Sequence, residues 1–178
     1  MVERMVGTQT IHGLPQPTGL KQCQQLPKPI YTPSTKAELG EKDVNISPDE
    51  AKVIVGEKYA SRLEELALAC YKAGAAYAEE RGIIIADTKF EFGLDVETDE
   101  IYLVDEVLTP DSSRFWSKAD YQVDKQVLRN WLTSNGLKGK PDVEMPPEVV
   151  EKTKGRYTEV YELLTGRSLE EALKSLEA

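Results

Sequence analysis

The chain has 178 residues, of which 40% are hydrophobic and 30% charged, and its formal net charge is −9. These values are ordinary for a globular domain, but the acidic balance argues against general nucleic-acid binding, which needs a basic surface. No apolar run reaches the roughly 20 residues that cross a bilayer, and the first residues do not resemble a secretory signal. We therefore expect a cytoplasmic protein that binds neither nucleic acid nor a membrane, although a local basic pocket can still hold a small phosphorylated ligand.

Cysteine- or histidine-based catalysis fits this composition poorly. The chain has two cysteines, Cys23 and Cys70, without metal-site spacing, and its single histidine, His12, lies in a stretch rich in Gly, Pro and Gln. A zinc site or a Ser-His-Asp triad would depend on that one imidazole, which we interpret as a loop residue. Any catalysis is expected to use carboxylates, lysines, arginines and a hard metal ion.

The N-terminal part of the sequence changes from loop to helix. Five prolines and little hydrophobic periodicity predict an extended, loop-rich segment over residues 1–36, ahead of a lobe over residues 37–178. A helix is predicted to start at residues 47–50, where a serine cap, a proline at the first helical position and a glutamate form a capping box. Gly56 is expected to divide a short helix from a longer one, which ends at Gly82.

The next segment changes to strand periodicity. Residues 83–86 are a short apolar run, as in a buried strand, and Phe90 and Phe92 then alternate with charged residues. A polar turn at residues 95–99 precedes a second strand over residues 101–108. The pattern predicts a β-hairpin whose phenylalanines enter the core.

Helices dominate the rest of the chain. Residues 109–113 are predicted to form a loop, and helices are predicted near residues 124–135, 146–165 and 168–177, the last starting with a capping box at Ser168. An antiparallel ribbon with helices packed on it belongs to the α+β class.

The predicted hairpin collects charged groups on one face. Period-two alternation places Asp87, Lys89 and Glu91 together, and an even register across the turn adds Asp105. Cross-strand neighbours lie about 5 Å apart, so two carboxylates can share a Mg2+ ion while the lysine meets a phosphate oxygen. Alternating charges on a strand are more often only a solvated face with weak ion pairs, and spacing alone favours that interpretation.

Longer blocks of sequence are more specific than this spacing. Residues 83–93, IIIADTKFEFG, resemble the signature segment of SAICAR synthetases, and residues 104–116, VDEVLTPDSSRFW, resemble the second signature block of that family. Further similarity follows the same order along the chain, at residues 29–38, 45–48, 132–139 and 145–147. The resemblance covers residues 12–166, and over this range the sequence is similar to fungal members of the family.

The resemblance implies a fold like the larger C-terminal lobe of these enzymes and an ATP- and Mg2+-dependent ligation. Family members join L-aspartate to the carboxylate of carboxyaminoimidazole ribotide, giving SAICAR, ADP and phosphate in de novo purine biosynthesis. The ribotide carboxylate attacks the γ-phosphate, and the amine of aspartate then displaces the acyl phosphate. This chemistry needs charge neutralisation and in-line positioning more than a protein nucleophile, so the scarcity of histidine is no obstacle.

Position by position, the resemblance assigns roles to several residues. Glu91 and Asp105 match the metal-linked acids of the family, and Lys89 matches its nucleotide-site lysine. Ser113 and Arg114 match residues near the ribotide, and Lys89 and Arg114 are expected to act in catalysis. The family loop that lines the substrate cleft is matched here by Thr32, Ser34 and Lys36. A simpler interpretation makes that loop only a turn, and lets the arginine stack on a neighbouring aromatic ring.

Three departures from the family pattern lower the expected activity. Nothing before Ile30 matches the N-terminal lobe that covers ATP in the family, so we expect little or no ligase activity from this chain alone. The Ser/Gln part of a family loop is missing at residues 121–126, and Lys42 replaces the histidine of a Glu-His-Asp stretch.

Two alternative functions compete with the ligase. The first is a non-catalytic binding or interaction module that retains the fold. The second is another phosphotransferase on a kinase-like scaffold, which the absence of HRD and DFG motifs disfavours. The sequence leaves the oligomeric state open.

Overall fold

The computed structural model describes residues 10–21, 23–37, 42–118 and 126–176. The strands in these ranges are β1 (Thr10–Ile11), β2 (Leu14–Pro15), β3 (Ile83–Thr88), β4 (Glu91–Asp95), β5 (Glu100–Val104) and β6 (Ser113–Ser117). The helices are α1 (Pro48–Val55), α2 (Glu57–Glu79), α3 (Gln126–Ser134), α4 (Pro147–Thr165) and α5 (Leu169–Leu176). The chain divides into two compact units, Met1–Cys70 and Tyr71–Ala178. The predicted division between residues 1–36 and 37–178 is a different one and stays a prediction.

Two short antiparallel ladders organise the first unit. β1 pairs with β2, and the segment around Ser34 pairs with the segment around Asn45. The imidazole of His12, in the turn between β1 and β2, bonds through Nδ1 to carbonyl oxygens of both arms of the second ladder, at 3.1 and 2.9 Å. Because these carbonyls can only accept, the imidazole donates, and the single histidine ties the two ladders together.

Helix α1 begins at the predicted capping box. Ser47 Oγ accepts a hydrogen bond from the Glu50 amide at 3.2 Å, and the Glu50 carboxylate accepts one from the Ser47 amide at 2.7 Å. Gly56, with a φ of 82°, separates α1 from α2 as predicted. The second predicted boundary is wrong, because α2 ends at Glu79 and Gly82 lies in the turn that follows, with a φ of 78°.

The core of the second unit is built on β3 and β6. These strands pair antiparallel, and their first three residues alternate between buried and half-buried positions, as expected when one face of a ribbon is covered. The buried cluster combines this face with residues from α2 and α4, namely Ala78, Ile83, Ile85, Phe115 and Val160. The sequence did not predict β6, which has only five residues and pairs with a strand about 30 positions earlier.

β4 and β5 form the predicted hairpin, with differences in its extent. The charged residues do not belong to one long strand, because β3 and β4 are separated at Lys89 and Phe90 and have different partners. The returning strand ends at Val104, before residue 108. Phe90 and Phe92 are half-buried and contact each other, with ring centroids 6.4 Å apart, so the prediction that they enter the core is wrong. The core is formed by β3 and β6 instead.

The C-terminal helices agree with the prediction. α3 starts at Gln126, while residues 119–125 lie outside the described part of the chain. The box at the start of α5 is present, with Ser168 Oγ accepting from the Glu171 amide at 3.2 Å. Helices packed on antiparallel strand pairs confirm the α+β class. Across the described ranges, no helix is both long enough and apolar enough to span a bilayer.

Candidate functional site

Lys89 and Glu91 lie where β3 gives way to β4. The Lys89 amide donates to the Ser112 carbonyl oxygen at 2.9 Å, which ties this junction to the start of β6. The Lys89 ammonium lies 2.9 Å from Glu91 Oε1, and the exposed fractions of the two side chains are 56% and 17%. The pair therefore places a cation at the surface over a largely buried carboxylate.

Asp105 follows directly on β5, but the predicted register is wrong. Val104, and not Asp105, lies opposite Glu91. Asp105 has a φ of 64°, a left-handed conformation that is uncommon for residues other than glycine and is often found at functional sites. The extended conformation of β5 ends before Asp105. The alternation of side chains between the two faces of a strand therefore does not determine which face of the hairpin the Asp105 side chain lies on. Its Cα lies within about 9 Å of the Glu91 Cα, the sum of one chain step and one cross-strand step.

Glu91 and Asp105 suit a metal ion that is shared with a ligand. Within the described ranges, no group of three or more His, Cys, Asp or Glu side chains is arranged to hold a metal ion. Mg2+ often uses only one or two carboxylates and completes its octahedron with water and phosphate oxygens. The donor set therefore fits Mg2+ that arrives with a phosphorylated molecule, and it does not form a metal cage of protein groups.

Arg114 on β6 forms a two-bond ion pair with Asp87 on β3. Arg114 Nε donates to Asp87 Oδ1 at 2.6 Å, and Nη2 donates to Oδ2. The exposed fractions of the two side chains are 21% and 32%, so the pair is partly screened from water. The sequence did not predict this pair, although the adjacent aromatic residues Phe115 and Trp116, a residue type enriched in strands, were a usable signal for the missing strand.

Ser113 is enclosed beside this ion pair. Its side chain is buried, with 4% of the residue exposed, and its hydroxyl lies 2.9 Å from Thr88 Oγ1 on the paired strand. On the other side of Asp87, the Tyr71 hydroxyl donates to the Ile85 carbonyl oxygen at 2.8 Å. Burial, together with the Asp87 charge, raises the pKa of Tyr71, so this phenol stays protonated at neutral pH. Both contacts hold the strands around Asp87 and Arg114.

The remaining predicted residues belong to the first unit. Thr32 is half-buried, whereas Ser34 and Lys36 are exposed. The bridge from Ser34 to Asn45 holds this segment extended, so side chains two positions apart lie on the same side. The structure thus brings Lys89 close to Glu91 and Arg114 close to Asp87. Thr32, Ser34 and Lys36 belong to the other compact unit, Met1–Cys70.

Comparison with known proteins identifies the family. The family model for SAICAR synthetase matches residues 1–146. The chain is 58% identical over 168 residues to phosphoribosylaminoimidazole-succinocarboxamide synthase from Saccharomyces cerevisiae. The aligned region covers 90% of this chain and 55% of that relative. The chain therefore spans about half the length of the curated relatives that it matches.

Solved structures agree with this result. The SAICAR synthase from Saccharomyces cerevisiae, complexed with SAICAR, has a TM-score of 0.83 and 53% identity, over 93% of this chain and 56% of that one. A SAICAR synthetase in complex with ADP has a TM-score of 0.63 and 32% identity, over 84% of this chain and 56% of that one. The match over residues 1–146, together with these structures, shows that the chain belongs to the SAICAR synthetase family.

Proposed function

We propose that this chain carries residues for the Mg2+- and ATP-dependent ligation of L-aspartate to carboxyaminoimidazole ribotide, which gives SAICAR, ADP and phosphate in de novo purine biosynthesis. The observation that carries the proposal is the Lys89–Glu91 pair at the junction of β3 and β4, with Asp105 at the end of the neighbouring strand. These groups have the charges that a magnesium-bound phosphate chain needs, namely one cation and two carboxylates. Relatives with SAICAR and with ADP bound support the same ligand classes.

The nucleotide end of the proposed reaction depends on the hairpin. In our proposal the Lys89 ammonium binds an oxygen of the transferred phosphate, because a compact cation on a flexible stem meets phosphate as a point charge. Glu91 and Asp105 would hold Mg2+, which supplies charge neutralisation for the phosphates. Orientation of the nucleotide by these fixed groups lowers the barrier, since phosphoryl transfer needs in-line positioning above all.

The ribotide end of the proposed reaction depends on Arg114. A guanidinium recognises carboxylate and phosphate groups through paired N–H donors, and the ribotide contains both. Ser113 is too enclosed to meet a substrate as the structure stands, so in our proposal it acts by holding β6 against Thr88. The assignment of Thr32, Ser34 and Lys36 to substrate binding is supported by the family resemblance alone.

Calorimetry and a coupled ADP assay on the full chain test the proposal. We expect the wild-type chain to bind carboxyaminoimidazole ribotide and Mg-ATP. ADP release that requires both the ribotide and L-aspartate would demonstrate the ligase. Ribotide binding without any such release would favour a non-catalytic binding module. Absence of binding for both ligands would contradict the proposed site.

A further inference from the structure

Strands β3 and β6 do not pair in one continuous register. Ile85 lies opposite Phe115, but the next partners are Asp87 and Arg114, so Ala86 is an extra residue on β3. In an uninterrupted register Ala86 would face Arg114. A β-bulge of this kind re-aims the side chains that follow it and is often found beside a functional site. Here the bulge is what places the Asp87 carboxylate opposite the arginine.

The contacts around the bulge hold this arrangement on both sides. Ahead of it, the Tyr71 hydroxyl bonds to the Ile85 carbonyl oxygen at 2.8 Å. Beyond it, Thr88 and Ser113 are paired in register and their hydroxyl oxygens lie 2.9 Å apart. Asp87 therefore comes from a supported backbone, which gives its ion pair a fixed geometry that pairs between mobile surface side chains lack.

We infer that Asp87 is a positioning residue that fixes the guanidinium plane of Arg114 for an anionic group of the ribotide, an inference that rests on the proposed function. An arginine side chain has several rotatable bonds, and binding a ligand must otherwise immobilise them. Two parallel N–H to oxygen bonds from one carboxylate fix both the position and the plane of the guanidinium. Asp87 acts through Arg114 and does not itself contact the ligand.

Ribotide affinity, measured by calorimetry on the full chain, tests this inference through a double-mutant cycle. Asp87→Asn keeps the shape of the side chain but removes its charge, and Arg114→Lys keeps the charge but loses the paired donors. We expect each single variant to weaken ribotide binding roughly 10-fold, because misplacing a positioned group by about an ångström is costly. The double variant is expected to be no weaker than Arg114→Lys alone, since the first residue acts through the second.

Glu159→Gln is the matched control. It breaks another arginine–carboxylate pair, with Arg156 Nη1 2.8 Å from Glu159 Oε2 on α4, and ribotide affinity is expected to stay unchanged. A readout without ligand completes the test, namely the Arg114 Nε–H resonance in a nitrogen-15 NMR spectrum. This signal is expected to be protected from exchange in the wild-type chain and to lose protection in Asp87→Asn, while the backbone amide spectrum is preserved.

The outcomes separate this inference from the proposed function. Ribotide binding by the wild-type chain with unchanged affinity in Asp87→Asn, or with additive losses in the double variant, overturns the positioning role and leaves the proposed function intact. No ribotide binding by the wild-type chain overturns both. If Asp87→Asn does not fold, Asp87→Glu replaces it, because it keeps the charge and moves the carboxylate by one methylene. Unchanged affinity in that variant also overturns the inference.

Discussion

The two strand pairs of the second unit differ in what covers them. β3 and β6 come from distant parts of the sequence and contribute Ile83 and Phe115, which are 1% and 0% exposed, to the core. β4 and β5 are joined by a local turn, and Tyr102 and Leu103 of β5 are 50% and 37% exposed. One pair therefore anchors the unit, while the other extends from it as an open ribbon.

This difference explains where the charged groups lie. Lys89 and Glu91 occupy the junction of the two strand pairs. The Lys89 amide is bonded to the Ser112 carbonyl oxygen, next to the anchored pair, and Glu91 is the first residue of β4 in the ribbon. Arg114 and Asp87 lie within the anchored pair itself. We infer that the anchored pair fixes the geometry of Arg114 and Asp87, while Lys89, Glu91 and Asp105 lie at the end of the open ribbon that is next to this pair. Sites built on rigid elements keep their geometry better than sites on loops.

Truncating one side chain in each strand pair tests most strongly whether the two pairs differ in packing. We expect Phe115→Ala to lower the free energy of unfolding by about 3–5 kcal/mol, because it leaves a cavity in the core. Leu103→Ala in the open ribbon is expected to cost about 1 kcal/mol or less, since a partly exposed side chain loses little burial. Urea denaturation followed by circular dichroism measures both values. Equal losses would mean that the ribbon is as well packed as the core.

Two glycine-to-alanine substitutions, one in α2 and one in α4, are expected to change the free energy of unfolding in opposite directions. A Cβ added to Gly74 in α2 would lie 2.5 Å from Leu108 Cδ1, and Leu108 packs against the core. We expect Gly74→Ala to destabilise the chain by about 1 kcal/mol, with overpacking exceeding the gain in helix propensity. Gly155→Ala in α4 has open space and is expected to stabilise by roughly 0.5–1 kcal/mol. A stabilising Gly74→Ala would show that Leu108 moves aside easily.

The stability of the turn between β4 and β5 is expected to depend weakly on pH. Backbone amides of Glu97 and then Thr98 donate to the Asp95 carboxylate and hold its pKa below the ordinary value of 3.8. A lowered pKa stabilises the turn at pH values above that ordinary value, and the contribution is lost as the pH falls through the folded-state pKa. Carbon-13 NMR of the Asp95 carboxyl group measures the titration, and Asp95→Asn should remove the pH dependence of the hairpin amides. A midpoint at or above 3.8 would contradict the role of this cap.

Local signals in the sequence predicted the local structure well. The capping boxes at Ser47 and Ser168 and the turn at residues 95–99 involve neighbours within a few positions, so their chemistry is visible in the sequence. The family blocks also selected Lys89 and Glu91, which the structure places in contact. Their roles in binding stay a prediction.

Non-local geometry could not be obtained in the same way. The partner of Arg114 depends on a bulge after Ile85 and on the pairing of β3 with a strand about 30 positions later, neither of which leaves a periodic pattern. The position of Asp105 depends on a left-handed φ, and an aspartate adopts this conformation too rarely for the sequence to predict it. Both features are backbone irregularities, and both occur beside the candidate site.

Magnesium-dependent binding of ADP is the most direct test of the central claim, that the junction of the strand pairs binds a metal–nucleotide complex. Calorimetry should compare the wild-type chain, Glu91→Gln and the control Glu159→Gln, each with Mg2+ and with EDTA. We expect ADP to bind the wild-type and control chains only with Mg2+, and Glu91→Gln to bind at least about 10-fold more weakly. Equal ADP affinity in EDTA, or an unchanged affinity in Glu91→Gln, would contradict the account.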